Sequence, residues 1–158
     1  MASPVTSHHG RTIHEVWTAL ESQLDSQWGV VSDVAFAFDA DNEFCPDLAV
    51  IPASEAARNR IAYAPDLIEL VVEVVSGGTV RRDYEIKPRW YASRAIADFV
   101  ILDPLRGHAV TMWNAGPEGY GSRDTIPYGP DLTLDSPLGK LTIPTAGLPV
   151  DPKARTRP

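Results

Sequence analysis

Residues 67–91, LIELVVEVVSGGTVRRDYEIKPRWY, open as an apolar strand with Glu73 at its centre and close in a basic, aromatic segment that carries Lys87. The run of Leu, Ile and Val has the β-branched composition of a buried strand, and such a strand tolerates a carboxylate only beside a partner charge or a metal. Alternation puts Glu69, Val71, Glu73 and Val75 on one face and Leu70, Val72 and Val74 on the other. Ser76-Gly77-Gly78 then breaks the strand. It is not a phosphate loop, because no Gly-Lys-Ser/Thr follows at the required spacing.

A second acid lies in the same kind of setting upstream. Asp47 falls in the short apolar run of residues 44–51, FCPDLAVI, which predicts a strand with Asp47 in its middle. Two carboxylates on neighbouring strands, with a lysine on the next element, suit a hard cation such as Mg²⁺ or Mn²⁺. Such an ion polarises a phosphate and activates water, and the ammonium adds positive charge. That is chemistry for hydrolysing phosphodiesters, although the residues alone specify only an acidic cation site beside a basic helix.

At these positions the chain resembles the Uma-two family of restriction endonucleases, within the PD-(D/E)xK nuclease superfamily. The resemblance is carried by Pro46-Asp47, by residues 70–76 (LVVEVVS), by Arg82-Asp83 with Lys87 and Tyr91, and by residues 99–104 (FVILDP). It implies an α/β fold of the restriction endonuclease type: a central mixed β-sheet flanked by helices, with a β-rich C-terminal part. It also implies a metal-dependent DNA endonuclease that leaves a 5′-phosphate. Asp47 and Glu73 would bind Mg²⁺ or Mn²⁺, Lys87 would position or activate the attacking water, and Asp83 or Tyr91 would support the lysine. The superfamily pattern puts lysine two residues after the second acid, where this chain has Val75, so the lysine role passes to Lys87 on the following helix. A first-helix glutamate is also expected at the metal, with Glu15 and Glu21 as candidates and Glu21 placed among the supporting residues.

Charge and composition set the frame. The 158 residues suit one domain with its own core, divided here into a flexible start (residues 1–11), a domain (12–150) and a basic flexible tail (151–158). No apolar run approaches the ~20 residues needed to span a bilayer, and the first ten residues lack an apolar leader core, which predicts a cytoplasmic protein without membrane contact. The net charge of −7 excludes unspecific DNA affinity as a whole-surface property. Residues 81–94 run against that trend with a local balance of +3, so Arg81, Arg82 and Arg89 are the candidate DNA contacts. Arg58 and Arg60, in the loop of residues 52–65, are further candidates. Cys45 is the only cysteine and reads as a small buried core residue, with no histidine spaced to activate it.

The remaining segments fill out a fold. Ile13, Val16, Trp17, Leu20 and Leu24 have helical spacing, predicting a helix from Thr12. Residues 28–31 and 34–38 read as one interrupted strand, and residues 39–43 as a solvated hairpin turn. Asp83 is placed as a helix cap, and Pro88 puts the start of regular helix near Ile86 or Lys87. Tyr91, four residues on from Lys87, is within reach to orient it. Residues 98–104 form another core strand, residues 109–113 and 120–128 a hairpin, and residues 132–143 a closing hairpin. Cleavage of both strands would favour a homodimer. Two other readings stand beside the nuclease: a catalytically silent module of nuclease fold that binds nucleic acid or a protein partner, and a β-rich binding domain whose buried acids are satisfied internally.

Overall fold

Every residue of β6 (Leu70–Val74) is buried, and its alternating side chains feed two separate cores in the computed structural model, which describes residues 5–153. Before β6 come α1 (Ser7–Gln23), β1 (Trp28–Val31), β2 (Ala35–Ala37), β3 (Glu43–Phe44), β4 (Leu48–Pro52), the short α2 (Ala53–Ala56) and β5 (Ala62–Tyr63). After it come α3 (Lys87–Ser93), β7 (Asp98–Asp103), β8 (His108–Gly116), β9 (Gly119–Pro127), β10 (Leu132–Ser136) and β11 (Gly139–Ile143). Six strands form the central sheet in the order β1-β4-β6-β7-β8-β9. β6 pairs in parallel with β7 and antiparallel with β4, so the sheet is mixed, as expected.

Leu70, Val72 and Val74 face Val16 and Leu20 of α1 and the leucines of the β10–β11 hairpin. Val71 and Val75 face the other way, toward Tyr91 of α3 and the aromatic residues Phe36, Phe38 and Phe44. Each fully buried Leu or Val of this kind contributes about 1.5–3 kcal/mol. The face that holds Val71 and Val75 also holds Glu73, so the glutamate is turned toward α3.

The structure departs from the sequence reading at four places in the fold. Helix α1 begins at Ser7, not at Thr12, so residues 7–11 of the supposedly flexible start are helical. The buried stripe Thr12, Val16 and Leu20 marks only where the helix meets the core; its first turn has no such stripe and is invisible to a search for periodicity. Residues 28–38 are two strands in two sheets. β1 joins the central sheet, while β2 pairs with β3 and β5 in a separate three-stranded sheet. The chain changes sheets at Asp33, whose φ of 60° is the left-handed conformation that Asp tolerates better than most residues. The third departure is Cys45, which is exposed. The fourth is the strand expected over residues 44–51, which residues 45–47 divide into β3 and β4; of the expected basic tail, the Asp151 N–H donates to the Pro104 carbonyl at 2.8 Å and residues 154–158 lie outside the described residues.

Other readings hold. The turn at residues 39–43 is closed by Asn42 donating to Asp39, and both C-terminal hairpins form in register. Among the described residues, no helix is long and apolar enough to cross a membrane.

Candidate active site

Glu73 lies one residue before the end of β6 and is 1% exposed, so its charge must be met by neighbours from other elements. Two come from α3. Lys87 brings its Nζ to 3.0 Å from Glu73 Oε2, and the Tyr91 hydroxyl donates to Oε1 at 2.7 Å. Lys87 also lies 3.3 Å from Asp83 Oδ1, and Asp83 Oδ2 accepts from the Thr79 hydroxyl at 2.7 Å.

Pro88 explains how Lys87 and Asp83 come to share this site. Proline lacks an N–H, and its ring would strike the carbonyl four residues back in a regular helix. Here the turn ahead of it, Arg82–Ile86, is widened to π-type, with the Lys87 N–H bonded to the Arg82 carbonyl; α3 then starts at Lys87. Regular helix thus begins where Pro88 predicts. Asp83, expected as a cap, makes no capping bond and is instead a buried partner of the lysine. Tyr91, expected to orient Lys87, supports Glu73.

Asp47 approaches from the neighbouring strand. It stands just ahead of β4 rather than inside it, because Cys45 to Asp47 bridge between the two sheets. The Val74 N–H donates to its Oδ2 at 2.7 Å, and Ser32 donates to its backbone carbonyl at 2.7 Å. His9, in the first turn of α1, puts Nε2 3.4 Å from the same Oδ2. Asp47, Glu73, Asp83, Lys87, His9 and Arg82 all line one cavity of about 820 Å³, with Cys45 also on its wall.

The electrostatics follow from three carboxylates meeting one ammonium. Burial pushes Glu73 up to about 8, against the opposing pull of Lys87. Burial likewise raises Asp83. Burial alone would depress Lys87, but Glu73 and Asp83 hold it above the usual lysine range, so it stays cationic. The hydrogen bond to Asp47 lifts His9 above the ordinary imidazole value. One ammonium cannot neutralise two buried carboxylates with a third nearby, so the cluster gains from either a proton or a further cation.

That surplus is the test of whether a metal fits. Among the described residues no three side chains are grouped to hold a metal by themselves. Mg²⁺ does not require that, since it keeps several waters and binds through one or two carboxylates. Asp47 and Glu73 offer hard oxygen donors on the cavity wall, and the buried Asp83 Oδ1 is met only by the Lys87 ammonium, at 3.3 Å. The donor set therefore suits a hydrated divalent ion.

Not every expected residue reaches this cavity. Glu15 pairs with Arg11 at 3.0 Å away from the cavity, and Glu21 is exposed near the far end of α1, about 18 Å along the helix from His9. The first helix sends a histidine where a glutamate was expected. Arg82 is exposed on the cavity rim over the Phe44 ring, Arg81 is paired with Glu85, and Arg89 is exposed elsewhere. Arg58 pairs with Glu55. His9 was missed because nothing in the sequence connects it with Asp47, 38 positions away.

A family model described as "Putative restriction endonuclease", Uma2, matches residues 1–146. The chain belongs to the Uma2 family. Among solved structures, a nuclease of the DUF820 group from Anabaena variabilis, described as putative, superposes on this Uma2 chain with a TM-score of 0.66 at 14% identity. The match covers 97% of this chain and 82% of that one, and it shows the restriction endonuclease-like fold. No curated protein matches. In this Uma2 chain the family resemblance read at Asp47, Glu73 and Lys87 corresponds to three residues that meet at a single cavity.

Proposed function

We propose that this Uma2 protein is a metal-dependent endonuclease that hydrolyses DNA phosphodiester bonds in the cytoplasm. The observation that carries the reading is the buried Glu73–Lys87 pair, 3.0 Å apart, opening with Asp47 onto one cavity. Asp47 and Glu73 would hold Mg²⁺ or Mn²⁺ through their carboxylate oxygens. When bound, the ion supplies Lewis acidity to the scissile phosphate and acidity to its water.

The chain's own residues do the rest. Lys87 is kept cationic by two carboxylates, so it acts as a fixed positive charge for the phosphorane-like transition state rather than as a base. Tyr91 fixes the rotamer of Glu73, and the Val74 N–H fixes Asp47. Arg82, on the rim, meets the DNA backbone, with Arg89 on α3 as a further contact. With one site per chain, cutting both strands calls for a two-fold dimer.

Supercoiled plasmid incubated with Mg²⁺ or Mn²⁺ tests this. Nicked and linear products should form with wild type and vanish in EDTA. Asp47→Asn should abolish them, and Lys87→Met should slow them about 100-fold or more. Equal cleavage by folded Asp47→Asn would overturn the assignment, and no cleavage by wild type would favour the silent binding module.

A further inference from the structure

The protein carries seven more negative than positive charges, yet among the described residues four arginines outside the proposed catalytic cavity form no ion pair, and two of them, Arg106 and Arg123, share one pocket. Arg106, in the turn between β7 and β8, lies 5.9 Å from the Tyr84 ring, and Arg123 on β9 lies 5.7 Å from it. Among the described residues neither has a carboxylate within ion-pair distance. With Arg81 they line a shallow pocket of about 550 Å³, in which Glu85 is the one acid and is already engaged by Arg81.

This cluster is held firmly. The Tyr84 hydroxyl donates to the buried Asp103 at 2.6 Å and lies 3.2 Å from His108 Nε2, which pins the π-type turn to the end of β7. Asp103 Oδ1 in turn accepts the backbone N–H groups of Leu105 and Arg106. The guanidinium groups therefore stand around a fixed ring.

The pocket also has a defined relation to the cavity. Glu73, Ile101, Val110 and Thr125 form one cross-strand row, and Arg123 lies two residues from Thr125, on the same face as Glu73 and α3. Three strand spacings separate β6 from β9, or about 14 Å. That is the span of a few nucleotides of one DNA strand. Arg82 points to the cavity and Arg81 and Tyr84 to the pocket, so one helical turn joins the two sites.

We propose that Arg106 and Arg123, arranged around Tyr84 beside Arg81, form a second phosphate subsite that grips the DNA backbone a few nucleotides from the cleaved bond. The proposal rests on the nuclease reading for its ligand, but not on catalysis. Guanidinium groups suit backbone phosphates because each presents a planar fork of donors. The tyrosine ring attracts both guanidinium groups without cancelling their charge.

The test is fluorescence anisotropy of a labelled DNA duplex in EDTA, with affinity measured against salt. Arg106→Gln/Arg123→Gln should lower the slope of log affinity against log salt by about 1.8, since each lost phosphate contact removes about 0.9. A charge-matched control, Arg11→Gln/Arg58→Gln, removes two arginines already paired with glutamates and should leave the slope unchanged. Arg106→Lys/Arg123→Lys should keep most of the slope, which guards against misfolding of the glutamine variant. An equal fall in the control would make the effect one of net charge and overturn the subsite, as would an unchanged slope in the glutamine variant. Wild type that binds no DNA would overturn the subsite, while plasmid cleavage by the same protein with metal would leave the nuclease reading standing. A slope lost as stated, in a protein that cuts nothing with metal, would retain the subsite and overturn catalysis alone.

Discussion

At Glu73 the strand pattern and the side chain's chemistry are in conflict, and the neighbours of this residue show how the conflict is resolved. Tyr91 is fully buried and gives Glu73 Oε1 its hydrogen bond at 2.7 Å. Tyr91→Phe keeps the ring and deletes the donor, leaving a buried carboxylate oxygen unsatisfied. It should lower stability by about 1–3 kcal/mol, read as a smaller urea midpoint at constant slope. An unchanged midpoint would mean that Glu73 does not need this partner. Asp47, Glu73 and Lys87 were legible because an acid in an apolar strand has few innocent explanations. His9 was not, since a histidine in a polar first turn looks like any surface residue. Asp83 or Tyr91 was expected beside the lysine; Asp83 pairs with Lys87 while Tyr91 turns to Glu73, because spacing along a helix shows which residues can meet but not which way the strand beneath them points.

Among the elements, the segment that joins β6 to α3 concentrates the function. Pro88 widens the preceding turn, and that turn sends Asp83 and Lys87 inward and Arg81 and Tyr84 outward to a different pocket. The start of the helix was legible from the proline alone, while the π-type turn was not, because it depends on how the chain relieves a clash. At the opposite end of β7, Asp98 has a carboxyl raised to about 6 by burial and by the charge of Asp135 on β10. A raised carboxyl favours the protonated folded state, so this contribution is complete below 3.8, its ordinary value, and is lost as pH climbs through about 6. Asp98→Asn should thus match wild type in acid below that value and be more stable above about pH 7, by about 1–2 kcal/mol once solvent screening is allowed for. Denaturant unfolding at both ends of this range checks it, and a variant less stable than wild type at the alkaline end would show that Asp98 has a stabilising partner.

For the molecule as a whole, alternation in β6 divides the core into two layers around a mixed sheet, and that much could be read from one strand. The separate sheet of β2, β3 and β5 could not, because the polar break at Ser32-Asp33 looks the same whether one strand is interrupted or the chain passes to another sheet through the left-handed Asp33. Carboxylates are gathered at one cavity and unpaired arginines flank it, so under the proposed function a divalent ion would offset the first and the second would meet the anionic substrate. Calorimetric titration of Mn²⁺ or Mg²⁺ into wild type and into folded Glu73→Gln tests the metal site most directly. Saturable binding to wild type, weakened at least about tenfold in the variant, is the predicted result. Equal binding by the two proteins, or none by either, would contradict it.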